Sequence, residues 1–303
     1  MISYPVLLSK TRRSVMKKLL FLSLLAILSC EKVVIDDADG GSDTPASASN
    51  GNLMVSVSQV GQMSFSDFTS ANVTVASTRL NYAIYTTTGT RVKQINQKQG
   101  AAGYGSASFQ LSAGTYQLVV VAHSSDGNPT MTDPAKINFT NAQGFTDTFL
   151  YSEEVTIGSQ PQTLHVSLGR IVAQCRFIIN DDYPQGVARM RFYYTGGSGT
   201  FNAYTGLGSV NSRQDVKFDV SAGQKQFELY TFLHNTEGTI RLKVTALDAM
   251  DGVHHEREFN VSLAQRKISC LSGNFFTDGG FQITTIYPDN QAGGWEGEIN
   301  YPL

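Results

Sequence analysis

The residues that could do chemistry are few. His254-His255-Glu256-Arg257-Glu258-Phe259 is the nearest approach to a metalloprotease motif. No second His follows four places after His255, so two imidazoles cannot share one helical face. On a strand, His254 and Glu256 share a face as a weak metal pair, and a solvated hairpin rim is the plainer reading. His123 and His234 close two matched strands and suit turn-fixing or rim roles better than catalysis. Glu153 and Glu154 are adjacent, so on a strand they face opposite ways and cannot work as an acid–base pair. The glycine clusters Gly103-Tyr104-Gly105 and Gly196-Gly197-Ser198-Gly199 have no following helix to receive a phosphate and read as loops. No Gly-x-Ser-x-Gly elbow occurs. Trp295, the sole Trp, could stack on a sugar but more often such a residue packs. These residues imply no enzyme, no cofactor and no metal site.

Cys30 is the exception. In Met16–Cys30, MKKLLFLSLLAILSC, a basic pair precedes a short apolar run and a small residue precedes the cysteine, the build of a secretory signal. The run is about half the roughly 20 residues a membrane-spanning helix needs, so it is read and removed rather than left spanning. The pattern resembles the lipobox of bacterial lipoproteins, which implies acylation of Cys30 as the new N-terminus and anchoring to a membrane by lipid. The alternative is an ordinary signal with an incidental cysteine. Met16 is the more economical start, and residues 1–29 are set aside from the fold.

Removing Lys10, Arg12, Arg13, Lys17 and Lys18 from the 23 basic residues leaves 18 against 25 acidic ones, a net charge of −7. No basic cluster suggests nucleic acid. Residues 30–50 form a flexible tether: Asp36, Asp37, Asp39 and Asp43 lie among Gly, Ser and Ala with no apolar period. These acidic residues resemble the surface-export signals of Bacteroidales lipoproteins; a plain spacer is the alternative.

The elements that must position everything else are strands. Leu53, Val55 and Val57 alternate with polar neighbours, and similar runs follow at 79–86, 90–96, 104–111, 115–123, 136–140 and 147–151. Further runs lie at 171–179, 187–194, 215–220, 227–234, 239–247, 255–263 and 281–287. Thr88-Gly89, Ala113-Gly114 and Asp126-Gly127 mark turns, and Asp181-Asp182 and Asp251-Gly252 mark hairpins. The spacing predicts an all-β fold of sandwich or barrel type. Phe109–Gly114 (FQLSAG) recurs as Phe218–Gly223 (FDVSAG), and each leads through a strand to His-x-x-acid-Gly at His123 and His234. The repeat predicts a duplicated sandwich, with domains at 51–161 and 162–303. Cys175 and Cys270 are read as two buried thiols in preference to one disulfide.

Leu164–Gly208 carries a strand with Arg170 at its start, the hairpin Asp181-Asp182-Tyr183-Pro184, a second strand and Tyr204-Thr205-Gly206-Leu207-Gly208. With the signal, Cys30 and the Trp295-Glu296-Gly297 ending, these residues resemble the FimB/Mfa-type fimbrial anchor lipoproteins of Bacteroidales. The resemblance implies two tandem transthyretin-like β-sandwich domains in a minor subunit of a type V pilus. It implies a cell-surface-exposed outer-membrane lipoprotein that limits fibre length and joins a fimbrial stalk subunit by donor-strand exchange. Stalk and tip subunits lose a first strand to an Arg-specific protease; here no Lys or Arg occurs from Val33 to Thr78, which fits an anchor. The alternatives are a tip or stalk fimbrillin of the same fold and a surface glycan-binding lipoprotein, with Tyr193, Tyr194 and Tyr204 as its aromatics. Cys30→Ala should leave folding intact and release the protein from membranes in fractionation; continued retention would contradict a lipid anchor.

Overall fold

Short alternating runs bounded by turn residues become strands, and the computed structural model describes them over residues 51–61, 63–64, 77–220, 222–277 and 281–284. The signal segment, Cys30, the tether and Trp295 lie outside the described residues. The first half holds β1 (Leu53–Val60), β2 (Met63–Ser64), β3 (Arg79–Thr86), β4 (Arg91–Lys98), β5 (Ser106–Phe109), β6 (Gly114–His123), β7 (Ile137–Asn138), β8 (Phe149–Ile157) and β9 (Gln162–Arg170). One layer is β5-β1-β9 and the other β4-β3-β6-β8. β8 reaches across to β9 only where Phe149 faces Arg170 and Leu150 faces Gly169. Leu53, Val55, Leu80, Tyr82, Leu118 and Val120 fill the space between the layers.

The second half holds β10 (Ala173–Ile179), β11 (Arg189–Gly197), β12 (Thr200–Asn202), β13 (Leu207–Gly208), β14 (Ser212–Asp219), β15 (Gln226–Thr231), β16 (Glu237–Leu247), β17 (Val253–Ala264), β18 (Ile268–Gly273) and β19 (Phe281–Thr284). Its layers, β15-β10-β18-β19 and β14-β11-β16-β17, repeat the strand order of the first half, with β19 added beyond β18. β1 is parallel to β9 and antiparallel to β5, as β10 is parallel to β18 and antiparallel to β15. The fold is therefore all-β, two sandwiches in tandem.

The duplication is real, but the matched hexapeptides do not mark it. Phe109–Gly114 spans the passage from β5 to β6, whereas Phe218–Gly223 spans that from β14 to β15, one strand earlier in the pattern. Both are chain reversals out of a strand, and reversals favour the same small residues wherever they occur. His123 and His234 consequently close non-equivalent strands. Asp181-Asp182 is not a hairpin turn either, because β10 and β11 lie in different layers. β9, which begins at Gln162 where the sequence reading starts its second domain, pairs with β1 and β8 of the first half.

Only Ile171 and Val172 separate β9 from β10, and both are buried. They belong to a third core in which Ala83, Tyr85, Val119 and Val121, on the outer face of the first half, meet Phe201 and Phe232 of the second. β7 pairs with β12, so the two halves also share a small β13-β12-β7 sheet. Phe232 lies 4.8 Å from Phe201 and 6.1 Å from Phe139, ring centroid to ring centroid. Phe232→Ala should cost about 3 to 5 kcal/mol through the cavity it leaves, measured by urea unfolding.

Candidate functional site

β1 is a strand whose seat is built by the rest of the chain. Leu53, Val55, Val57 and Val60 are all buried against the first core. Its backbone is paired on both sides, to β5 from Leu53 to Ser56 and to β9 from Leu53 to Val60. Its ends are pinned by polar contacts. The Asn52 amide donates to the Leu111 carbonyl at 2.7 Å while its Oδ1 accepts from the Leu111 N–H at 2.9 Å. Gln162 N–H donates to the Asn52 carbonyl at 3.0 Å, and at the far end Gly61 N–H donates to Leu168 O at 2.8 Å. Entry to the seat is so close that a Cβ on Gly51 would stand 2.5 Å from the Phe109 carbonyl oxygen. Asn52 and Gly51 carry no sequence signal beyond being turn-type residues, because their partners lie more than fifty residues away.

His123 is not a rim residue; it is fully buried. Its Nδ1 accepts the Ser125 N–H at 3.1 Å, which places the ring proton on Nε2, and this donates to Asn81 Oδ1 at 2.7 Å. Asn81 Nδ2 in turn donates to Asn96 Oδ1 at 2.8 Å and Asn128 Oδ1 at 3.0 Å. The turn-fixing role holds through Ser125. Burial, with the neighbouring Arg79 charge second, pushes the His123 pKa down to about 3. His234 differs: its Nδ1 donates to the Gly208 carbonyl at 2.9 Å, tying a loop to β13.

The other candidates are not brought together. Glu256 is taken up by Lys243 Nζ at 2.7 Å and Thr245 Oγ1 at 3.0 Å, and His255 turns its ring edge onto Phe275, 5.0 Å away. Among the described residues no group of three or more His, Cys, Asp or Glu is placed to hold a metal ion. Of the three tyrosines, Tyr194 is buried with its hydroxyl donating to Tyr230 O at 2.9 Å, so it offers no stacking face; Tyr204 is half exposed. Cys175 and Cys270 are free and buried. Cys175 sits opposite Ser269 and Arg176 opposite Cys270, so the two thiols point to opposite faces of one sheet and cannot bridge. Burial pushes both thiols up. Asp181, read only as a turn residue, accepts N–H groups from Phe275, Phe276 and Thr277 at 2.8 to 2.9 Å.

A family model described as "Family of unknown function (DUF6562)" matches residues 44–302. No curated protein matches the sequence. Among solved structures, a candidate adhesin from Bacteroides ovatus is 16% identical with a TM-score of 0.46, covering 73% of this chain and 88% of that one. A fimbrial assembly protein from Parabacteroides distasonis is 12% identical with a TM-score of 0.39, covering 77% of this chain and 98% of that one. The tip fimbrial protein Mfa3 from Porphyromonas gingivalis, with a C-terminal truncation, is 14% identical with a TM-score of 0.35, covering 77% of this chain and 99% of that one.

The lowered His123 pKa has a pH consequence. Between about pH 6.5 and about pH 3 the unfolded chain binds a proton at this histidine that the folded chain refuses, so this contribution to stability is complete above pH 6.5 and is lost as pH falls toward 3. The slope is up to about 1.4 kcal/mol per pH unit. His123→Gln should flatten that part of the stability–pH curve, measured by urea unfolding at a series of pH values.

Proposed function

We propose, for a chain that belongs to DUF6562, a family of unknown function, the role of a lipid-anchored minor fimbrial subunit. It is held in the outer membrane through Cys30 and the 30–50 tether, joins the next subunit by β-strand exchange, and fixes the fibre to the cell while limiting its length. The observation that supports this reading is how β1 is seated, buried on its apolar face and paired on both sides. Losing β1 would strip four buried apolar side chains from the first core, about 6 to 12 kcal/mol of transfer free energy at ordinary magnitudes. A subunit that is opened for polymerisation has to shed such a strand and accept another.

This chain is poorly made for shedding it. From Val33 to Thr78 there is no Lys or Arg, and Arg79, the first, opens β3, which is paired on both sides by β4 and β6. Its guanidinium donates to the Ser125 and Asp126 carbonyls at 3.1 Å. No Arg occurs from Cys30 to Thr78, so an Arg-specific protease has no bond to cut between Cys30 and β3, and against such a protease β1 stays covalently joined to Cys30. A subunit that keeps its first strand can end a fibre but cannot extend it at that seat, which suits a base. Strand exchange elsewhere would draw its affinity from backbone pairing and its specificity from alternate side chains.

Deleting the gene in its host should give longer fibres shed into the culture medium, counted by electron microscopy of cells and supernatant. Pili of normal length that stay attached would overturn the anchor role and favour the glycan-binding alternative.

A further inference from the structure

Between β6 and β8 the chain makes an excursion, residues 124–148, that is shared by the two halves. Its Met131, Ile137 and Phe139 lie in the third core with Tyr85, Val119 and Val121 of the first sandwich and Phe201 and Phe232 of the second. Its backbone is tied to both sides. The Tyr85 hydroxyl donates to Met131 O at 2.7 Å. From the second half, Ala203 N–H donates to Pro134 O at 2.7 Å, and Phe139 N–H donates to Gly199 O at 2.9 Å. β7 belongs to the excursion and carries the pairing to β12. Residues 124–148 are therefore the clasp of the joint.

His123 is where that clasp meets a titratable group. Its ring stands edge-on to Phe139 at 4.9 Å, and Phe139 packs on Phe232. Its Nδ1 accepts the Ser125 N–H at the start of the excursion, so a second ring proton would point at a donor. The charges around it give no compensation. Arg79 of β3 donates to the Ser125 and Asp126 carbonyls, and its own charge opposes one on the ring. Lys98, opposite Arg79 on β4, and Asp126 are exposed. Asp147, just before β8, is engaged through both carboxylate oxygens by Arg170. Among the described residues a charged His123 has no counter-ion in place, and it meets water only if the excursion lifts.

We propose that this clasp is released by acid: protonation of His123 frees residues 124–148 from β12 and from the outer face of β3 and β6, uncoupling two sandwiches that each stay folded. The sign follows from the ring. Burial, with Arg79 second, holds its pKa down to about 3, so the closed state refuses a proton that the open state takes below about pH 6.5. Opening is therefore favoured progressively from about pH 6.5 down toward pH 3. Asp147, the buried acid at the joint, acts the other way. Burial raises its pKa against the pull of Arg170, so acid favours its closed form. Asp181, Asp215, Asp248 and Glu256, whose pKa values are lowered, belong to the second half. Their contribution is lost only below about pH 4.5. Of these groups only His123 drives opening between about pH 6.5 and 4.5. Nothing in the clasp depends on the pilus reading, since it concerns how the halves of one chain hold together.

Amide hydrogen exchange of the full chain between pH 7.5 and 4.5, corrected for the pH dependence of free amides, tests this. Peptides over 136–139 and 199–202 should lose protection by up to about tenfold per pH unit below 6.5, about 100-fold in all. Peptides over Leu118–Val121 and Phe192–Tyr194 should keep theirs. His123→Gln, which can still donate to Asn81, should abolish the pH dependence. Asn81→Asp, which sets a carboxylate against the ring, should shrink it, so either variant that folds supplies the comparison. Unchanged protection down to pH 4.5 in the unaltered chain would overturn the proposal. So would a loss equal in all four segments, which is global unfolding, or a loss as large in a folded variant as in the unaltered chain.

Discussion

The first sandwich depends on a strand that the chain lays down before any of its partners. β1 sits between β5 and β9, and its parallel pairing with β9 joins Leu53 to Gln162 and Val60 to Leu168. Pairing over such separations is closed late and at an entropic cost, yet without it four buried aliphatic side chains lose their place. Their transfer free energy is of the same order as the net stability of a whole domain, about 5 to 15 kcal/mol. The first core is therefore complete only while β1, or a strand of like pattern, is seated. The reciprocal contacts of Asn52 with Leu111 hold the entry end of that strand in register.

The second constraint is the joint. A linker of two buried residues, a shared three-stranded sheet and a common apolar core leave no flexible segment between β9 and β10. Load applied to one sandwich passes to the other through packed side chains and ladder hydrogen bonds. Interfaces of this kind, apolar and continuous with both cores, do not behave as the mobile contacts usual between domains.

Above the first core the outer face of β3, β4 and β6 divides into two kinds of ground. Near the joint it is apolar, with Tyr85 and Val119 under Phe201 and its neighbours. At the other end it is a polar network centred on Asn81, which is bonded to His123, Asn96 and Asn128. Buried polar groups are tolerable only when satisfied, and the neutral His123 required here is what makes the network acid-sensitive. Catalysis is not needed to explain any of these residues.

The strand content, the hairpins at Thr88-Gly89 and Asp251-Gly252, and the burial of Cys175 were legible in the sequence, because each depends on periodicity or on turn chemistry within a few residues. The fact of a duplication was legible too, though through the wrong landmarks: FQLSAG and FDVSAG end non-equivalent strands, since chain reversals draw on the same residues at any position. β9 and β18 fall outside the strand runs that the sequence predicts. Leu164, Val166 and Leu168 alternate plainly, but nothing local says that their partner is Leu53–Val60. The joint was invisible, because β7 and β12 are two and three residues long and exist only through each other. His123 could be placed at a strand end from sequence, but its burial needed Asn81 and Phe139 to be brought over it by the fold. Sequence alone determined which segments are strands; which strands share a layer only the tertiary structure decided, since pairing is set by contacts between residues far apart in the chain.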